Sequence, residues 1–375
     1  MQVGSPGFSE IRFIRRDLRM RVVRSAHPCA TRSHSPQLAP SERLSLSRNS
    51  VIRGFVAILA SIALATSPMS VAGAATNAYP QTLSYLSGMF VGGRYVEGFT
   101  PGRADYGFTI EAMLQRFAGG MGANSQRKSV ESNFINNTNI GTSTNRHGYL
   151  FDSSGELILG AEGKYLFAGR ALGVANVSNR NGILALLKRR VASNGVLAGA
   201  NGNAFDYSWV ALALVASGES NLAQRVAATL ASFARPDGGF GLDTSVDTNE
   251  SSTDATGIAL QAIAAVRAIS PTALGKKLGA TSARAVSYLL ATQISGNHWQ
   301  AWGDFDTNGT AYAAMGLRAC GRSITNIRHW LASKIATDGG IESAWSGGAG
   351  DPFATAQAYA PLLGLSYVDL IGLVR

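Results

Sequence analysis

The chain has 375 residues and a formal net charge of +10, but that charge is unevenly distributed. The segment Met1–Ala74 contains ten Arg and three acidic residues, which leaves a net charge of only +3 for Ala75–Arg375. Nucleic-acid binding depends on clustered Lys and Arg that release counterions, and the longest basic run after Ala74 is Lys188–Arg190. Composition therefore argues against a nucleic-acid partner. Cys320 is the one cysteine after Ala74, which excludes an internal disulfide there.

The first 50 residues are polar and rich in Arg, and they show neither helical nor strand periodicity. We interpret 1–50 as a disordered extension or as sequence upstream of the true start, in which case Val51 would be the initiator. Only the nucleotide sequence distinguishes these two interpretations.

Residues 51–74 have the order of a secretory signal peptide. Basic Arg48 and Arg53 precede the apolar run Gly54–Ala65, and small residues end the segment at Ala72–Ala74. The apolar run, about 12 residues, is shorter than the about 20 residues that span a bilayer. The sequence therefore predicts a secreted protein without a membrane span, cleaved near Ala74.

Helical hairpins repeat along 75–375. In the clearest copy, a first helix ends before the turn Pro236–Gly239, Phe240 follows, and a second helix begins with cap residues from Ser251 to Asp254. Equivalent positions in the second helices are 109, 163, 210, 256, 310 and 355, with separations of 54, 47, 46, 54 and 45 residues. Single hairpins cannot bury their apolar faces, so we expect six of them to stack into one domain over 75–375.

The second hairpin is the least regular copy. Gly163 enters the series through alignment of Ala161–Gly173 with the other second helices, and the first helix is expected within Ser129–Asn136. The polar tract Asn136–Arg146 predicts a surface loop.

The turn with two glycines and an aromatic residue, as in Gly238, Gly239 and Phe240, is followed by an Asp-x-x-x-Thr sequence, as in Asp306 to Thr310. This combination over Tyr79–Leu365 resembles the α/α-toroid superfamily, which includes prenyltransferase β-subunits and squalene or terpenoid cyclases. The resemblance implies an all-α fold, an α6/α6 barrel of six outer and six parallel inner helices. Closure of that barrel would place the hairpin Ser323–Leu365 beside the hairpin Tyr85–Gly119.

The chemistry of those families does not follow from the resemblance. In the cyclase acid motif, Asn308 occupies the proton-donor position of Asp306–Ala311, and an amide cannot protonate an alkene. Asp254 falls at the donor position of a second copy, but Ser252 and Ala255 replace its acidic companions. The prenyltransferase zinc site is likewise missing because Cys320 stands alone. No metal or cofactor is predicted.

Parallel inner helices would bring their N-terminal ends to one mouth of the barrel. An Asp at such a position is the expected helix cap, worth roughly 0.5–2 kcal/mol, yet carboxylates beside aromatic side chains also form sites for polar ligands. The predicted ligand-binding residues are Asp105, Asp206, Tyr207, Trp209, Asp254, Trp302, Asp306 and Asp351.

Three functions remain open after this elimination. The first is a secreted protein, degenerate in cyclase and prenyltransferase chemistry, that binds a small molecule, lipid or glycan at the barrel mouth without catalysis. The second is an enzyme that acts on a glycan or an isoprenoid-like substrate through rim carboxylates. The third is a structural or protein-interaction module with a filled interior. Binding is favoured over catalysis because no pair of titratable residues stands out from the capping pattern.

Overall fold

The computed structural model describes residues 78–98, 100–120, 138–142, 144–173, 182–199, 203–244, 246 and 250–372. All of them belong to one compact unit, Thr66–Arg375. The predicted extension, the signal peptide and the helix expected within Ser129–Asn136 lie outside the described residues. None of the helices in the described ranges combines the length and the apolar character needed to cross a membrane.

Twelve α-helices occur in the described residues, of which six form an inner ring and five an outer layer. The inner helices are α2 (Tyr106–Ala118), α3 (Leu159–Ala171), α5 (Ala204–Ala216), α7 (Thr253–Arg267), α9 (Thr307–Ala319) and α11 (Pro352–Leu362). The outer helices are α1 (Pro80–Gly88), α4 (Ile183–Arg190), α6 (Ser220–Leu230), α8 (Thr272–Thr292) and α10 (Thr325–Ser333). The chain ends with a short helix, α12 (Tyr367–Gly372).

Two short antiparallel hairpins and two 3-10 turns complete the described secondary structure. Strands β1 (Phe90–Val91) and β2 (Tyr95–Val96) lead toward α2, and β3 (Gln300–Ala301) and β4 (Asp304–Phe305) lead into α9. The 3-10 turns are Thr138–Ile140 and Ala231–Phe233. The tract predicted as a surface loop is exposed from Thr144 to Arg146, but Ile140 and Gly141 within it are buried, so the prediction is correct only in part.

The inner helices form a closed ring. Each packs against the next in the order α2, α3, α5, α7, α9, α11, and α11 packs back against α2. At this junction Phe108 stacks on Phe353 with ring centroids 4.0 Å apart, and the Tyr85 hydroxyl donates to the Gly350 carbonyl at 2.9 Å. The predicted α6/α6 architecture and its closure between the first and last hairpins are confirmed.

The repeated Asp-x-x-x-Thr sequence is a hydrogen-bonding device that joins each turn to the inner helix after it. The Asp side chain caps the helix, as when Asp306 Oδ1 accepts from the Gly309 N–H at 2.9 Å. The Thr hydroxyl accepts a backbone N–H from the preceding turn. These bonds are Val96 to Thr109 at 2.9 Å, Phe240 to Thr256 at 2.9 Å, Trp299 to Thr310 at 3.0 Å and Ile341 to Thr355 at 2.7 Å.

Helix α5 lacks the Thr, and another side chain accepts the backbone N–H of the preceding turn. Val210 stands at the Thr position and has no hydroxyl, so the Leu197 N–H donates instead to the Tyr207 hydroxyl at 3.0 Å. In α3 the position is Gly163, where a β-carbon would lie 2.7 Å from the backbone of Trp209. Glycine therefore permits the close packing of α3 against α5, and small residues in the ring serve helix contact here rather than open space.

Candidate functional site

The mouth of the barrel lies where the inner helices begin. The second residues of the six inner helices line it: Gly107, Gly160, Phe205, Asp254, Asn308 and Phe353. All of them except Gly160 are half-buried. Because Gly107 and Gly160 have no side chain, the α2 and α3 side of the mouth carries less bulk than the other four positions.

One turn deeper, the sixth residues of the inner helices form a floor: Glu111, Lys164, Trp209, Ile258, Tyr312 and Gln357. Glu111 lies at its centre and is 4% exposed. Its carboxylate accepts from the Tyr312 hydroxyl at 3.0 Å and from Gln357 Nε2 at 2.6 Å, and it forms an ion pair with Lys164. The Asn308 amide donates to Gln357 Oε1 at 2.6 Å, which connects the mouth to the floor.

The floor network joins helices that are not neighbours in the ring. Tyr312 on α9 reaches Glu111 on α2 past the intervening α11, and Phe205 on α5 meets Tyr312 edge-on at 5.7 Å across α7. The interior is therefore narrow at this level, and side chains span it.

Aromatic side chains fill the barrel below the floor. Tyr367 on α12 is fully buried and packs against Trp209, with ring centroids 5.2 Å apart, and against Phe167 at 5.9 Å. Its backbone N–H donates to Gln261 Oε1 at 2.9 Å. Helix α12 therefore closes the end of the barrel opposite the mouth.

A cavity of about 400 Å³ opens at the α2 side of the mouth. Its lining residues are Gly98, Thr100, Arg103, Ala104, Asp105, Tyr106 and Tyr149. The Tyr149 hydroxyl lies 3.3 Å from the point where a β-carbon on Gly107 would be, so this glycine makes room for the phenol. Burial, followed by the charges of Glu111 and Asp105, raises the pKa of Tyr149, and the phenol therefore remains protonated.

Carboxylates on the other side of the mouth act on one another and on the floor. Burial raises the pKa of Tyr312 well above its usual range, with further contributions from Glu111 and Asp254. Burial also raises the pKa of Asp306, and the charge of Asp254 adds to that shift. Asp254 therefore lies within electrostatic range of both the floor and the neighbouring cap.

The predicted Asp residues fall into two groups. Asp105, Asp306 and Asp351 are N-caps whose side chains accept a backbone N–H at 2.8, 2.9 and 3.0 Å respectively. Asp254 and Asp206 lie inside their helices, which begin with the caps Ser252 and Asn203.

Asp254 and Asp206 differ in their surroundings. Asp254 Oδ1 accepts from Ser252 and from the Ala255 N–H. The Asp206 carboxylate lies against Gly160 at the start of α3, where a β-carbon would collide with it, and burial raises the pKa of Asp206. Asp206 therefore fills space between two helices, whereas Asp254 has one carboxylate oxygen without a hydrogen bond from any described residue.

The predicted aromatic residues do not share one surface. Tyr207 is buried against Phe233, with ring centroids 4.8 Å apart, and serves the turn before α5. Trp209 belongs to the floor, with the Lys164 ammonium 5.4 Å from its ring centroid. Trp302 is 91% exposed on the turn between β3 and β4.

Sequence reasoning missed the floor residues Glu111, Lys164, Tyr312 and Gln357, and it missed Tyr149. The signal for the floor was a common spacing, because each floor residue follows the first residue of its inner helix by five positions. Tyr149 lies on a loop outside the repeat and had no such signal. Within the described residues, no group of three or more His, Cys, Asp or Glu side chains is arranged to hold a metal ion.

The fold is shared with solved structures of glycan-degrading enzymes. An inactive variant of the α-1,6-mannanase GH76A of Salegentibacter sp. HEL1_6, in complex with α-1,6-mannotriose, matches with a TM-score of 0.55 at 9% identity, over 79% of this chain and 98% of that chain. The unsaturated glucuronyl hydrolase of Bacillus sp. GL1, responsible for the degradation of glycosaminoglycan, matches with a TM-score of 0.50 at 13% identity, over 76% of this chain and 94% of that chain. At these identities the likeness shows the fold alone.

These similarities show that the chain has the α/α-toroid fold. No protein-family profile matches it, and no curated protein is significantly similar in sequence. The kinship with terpenoid cyclases and prenyltransferases that the turn pattern suggested is not supported by these structures. In the inactive mannanase variant two consecutive aspartates are replaced by asparagine, and this chain contains no two consecutive acidic residues.

Proposed function

We propose that the protein acts on a glycan, which enters the barrel mouth and has a glycosidic bond cleaved above the floor. The observation that carries this proposal is the hydrogen-bonded charge cluster around Glu111, which lies directly below the mouth and joins α2, α3, α9 and α11. The fold is one on which known enzymes hydrolyse glycans, which supports the substrate class by analogy.

A buried ion pair often stabilises a protein core no better, in free energy, than apolar side chains do. Removing an ammonium and a carboxylate from water costs several kcal/mol per ion, and apolar residues of the same volume are often as stabilising or more so. Glu111 and Lys164 nevertheless occupy two of six equivalent floor positions, directly below the mouth. A purely structural barrel gains nothing from this arrangement, whereas a binding site for a polar ligand does.

The mouth offers the side chains that saccharides require. Sugar hydroxyls pair with amides, carboxylates and phenols, and the apolar faces of sugar rings pack on aromatic rings. Asn308 and Asp254 supply polar groups at the entrance, and half-buried Phe205, Phe353 and Tyr149 supply aromatic surface. The cavity beside Tyr149 lies at the start of α2, where Asp105 and Tyr106 line it.

Glu111 and Asp254 are the carboxylates that we assign to the reaction. Glycoside hydrolysis breaks the bond between the anomeric carbon and the leaving-group oxygen. One carboxylic acid protonates that oxygen, and a second carboxylate takes a proton from the water whose oxygen bonds to the anomeric carbon. We assign the base to Glu111, which is positioned by Lys164 and two hydrogen-bond donors. We assign the acid to Asp254, which has one carboxylate oxygen without a hydrogen bond from any described residue.

The experiment is hydrolysis of a panel of neutral and uronate-containing oligosaccharides, followed by release of reducing ends. We expect Glu111→Gln and Asp254→Asn each to reduce the rate by about 10²–10⁴, the usual contribution of a positioned acid or base. Glu219→Gln is the matched control, because Glu219 forms an outer-surface ion pair with Lys188 and its loss leaves the mouth unchanged. Thermal unfolding of each variant checks that it is folded.

Binding without cleavage is the second candidate. It is favoured by one observation, the commitment of Asp105, Asp306 and Asp351 to helix capping, which leaves few carboxylates for chemistry. If calorimetry detects an oligosaccharide that binds the wild type, that Asp254→Asn weakens, and that no condition hydrolyses, the protein is a glycan receptor and the hydrolase proposal is wrong.

We further propose that the protein is exported and cut after Ala74. The support is the order of basic, apolar and small residues in 51–74, which is the order that signal peptidase recognises. An extracellular location would bring the protein to polymeric glycans. Mass spectrometry of the mature N-terminus tests the proposal, and an exported protein that retained residues 1–50 would contradict it.

A further inference from the structure

The three most exposed large hydrophobic side chains in the described residues share one location. Trp302 is 91% exposed, Trp345 is 71% exposed and Leu242 is 64% exposed. Each lies on a loop that leads into an inner helix, and the three loops precede α7, α9 and α11, which are consecutive in the ring. They therefore follow one side of the rim that surrounds the mouth.

Trp302 has a backbone conformation that disfavours tryptophan. Trp302 and Gly303 form the two-residue turn between β3 and β4, with φ of 51° and 90°. Such turns normally carry Asn and Gly, because both positions require the left-handed region, which is unfavourable for a bulky residue. With its indole almost fully in water, Trp302 gains no packing that offsets the strain, and this points to a role for the exposed ring.

The turn that carries Trp302 is fixed at its base. Trp299 is 1% exposed and its indole N–H donates to the Leu289 carbonyl at 3.1 Å. The Asp306 N–H donates to the Trp299 carbonyl at 2.9 Å, and the Thr307 hydroxyl donates to the Glu342 carbonyl at 2.7 Å. The last bond connects the start of α9 to the loop that carries Trp345, so the two Trp-bearing loops are neighbours.

Charge on the described parts of these loops is predominantly negative. Residues 241–244, 250–252, 300–306 and 342–351 include Asp and Glu but no Lys or Arg. Two cations contact the loops from outside, Arg235, which pairs with Asp243, and Lys334, whose ammonium lies 3.8 Å from the Phe305 ring centroid, and the acidic residues outnumber them. An anionic polymer would be repelled from this side of the rim, whereas a neutral saccharide chain would not.

We propose that Trp302 and Trp345 form outer subsites that bind a neutral polysaccharide chain where it leaves the mouth along the α9 and α11 side. This inference rests on the proposed glycan function and adds its substrate class, a neutral polymer rather than a uronate. Each indole presents a flat apolar face to a sugar ring, so affinity increases with chain length once the chain extends past the mouth.

The test compares short oligosaccharides, which fill the mouth alone, with longer neutral ones by calorimetry and tryptophan fluorescence. Trp302→Asn should weaken binding of the long chains by about five- to tenfold and leave binding of the short ones unchanged. Its melting temperature should equal or exceed that of the wild type, because Asn tolerates the left-handed conformation. Leu290→Ala is the control, since Leu290 is 50% exposed on α8, outside the mouth, and it should change neither affinity.

Four results would overturn the inference, and they identify what failed. Unchanged affinity of Trp302→Asn for long chains would remove the outer subsites and leave the mouth proposal intact. Tighter binding of uronate chains than of neutral chains would refute the substrate class. A wild-type dimer that Trp302→Asn converts to a monomer would assign the indole to self-association. Absence of any saccharide binding, together with a hydrolysis rate that Asp254→Asn does not change, would refute the glycan function itself.

Discussion

The two ends of the barrel are built from the same inner helices but by different means. At the mouth, polar residues repeat from helix to helix, and the turns before α2, α7, α9 and α11 are each joined to the helix by a side-chain cap and a Thr hydroxyl. At the opposite end a single short helix, α12, inserts Tyr367 among Trp209 and Phe167, and nothing there repeats.

This difference separates what holds the ring together from what the ring can bind. The closed end buries an aromatic cluster, which stabilises by area and packing and has no open face for a ligand. At the mouth, most polar groups form hydrogen bonds within their own turn. The groups that can bind a ligand are Asp254, Asn308 and the Glu111 network. Substitutions at the two ends should therefore affect different properties.

The largest expected effect is at the closed end. Tyr367→Ala removes a fully buried aromatic ring and should lower the free energy of unfolding by about 3–5 kcal/mol, measured by denaturant titration. The exposed-surface variant Leu290→Ala should stay within about 0.5 kcal/mol of the wild type. A loss below about 1 kcal/mol for Tyr367→Ala would mean that α12 rests on the barrel without closing it.

A smaller effect is expected at one turn of the mouth. Tyr207→Phe leaves the buried Leu197 N–H without its acceptor, which should cost about 1–3 kcal/mol. Adding Val210→Thr restores the hydroxyl used by the other repeats and should recover most of that loss. If the double variant were no more stable than Tyr207→Phe, the two hydroxyls would not be interchangeable and the repeat device would not extend to α5.

Glu162 is a buried carboxylate without the ion pair and side-chain hydrogen bonds that stabilise Glu111. Among the described residues the Glu162 oxygens have no side-chain hydrogen-bond partner, and burial, opposed by the charge of Arg190 and by the backbone of Leu187, raises the pKa of Glu162 well above 4.5. Since the folded state holds this proton more tightly than the unfolded state, the wild type loses stability as pH rises above 4.5 through the folded pKa. Glu162→Gln should therefore match the wild type in acid and exceed it by about 1 kcal/mol or more near neutral pH.

Unfolding free energies of the wild type and Glu162→Gln, measured over a pH series, can contradict this prediction. A constant difference between the two proteins across the range would show that Glu162 does not exchange its proton on folding. Glu219→Gln, at the exposed ion pair with Lys188, is the control and should show no comparable slope.

The smallest effect is expected from the caps. The double substitution Asp306→Asn and Asp351→Asn should change the unfolding free energy by less than about 1 kcal/mol, because both residues are N-caps and Asn caps nearly as well as Asp. It should also leave glycan cleavage intact, since we assign the reaction to Glu111 and Asp254. A folded double variant that lost cleavage would move the chemistry from the floor to the rim.

The fold was predictable from sequence because its repeated element is local. An Asp, a Thr four residues later and the turn before them are close in the chain, so the hydrogen bonds they make leave a visible pattern. The same pattern suggested cyclases, although it reports only how turns are joined to helices. Tyr207 was predicted to bind a ligand at the mouth. Its hydroxyl instead accepts the Leu197 N–H because Val210 has no hydroxyl, and the sequence pattern does not show this substitution of roles.

The site was less predictable because its parts meet only on closure. Glu111 lies 201 residues from Tyr312 and 246 residues from Gln357, and none of the three has a neighbour in sequence that marks it. Asp254 could be chosen because it lies within the repeat. Its distinction from the caps required the structure, which shows Ser252 in the capping position.

Ring closure has a consequence for the order in which the molecule can assemble. Bonds across the junction link residues 265 and 280 positions apart, so the first hairpin waits for its partner until nearly the whole chain has been synthesised. Nascent chains of intermediate length expose an apolar helix face at both ends of an incomplete arc, and contacts this distant in sequence form slowly. We therefore expect the ring to close late in folding, after the last hairpin has been synthesised.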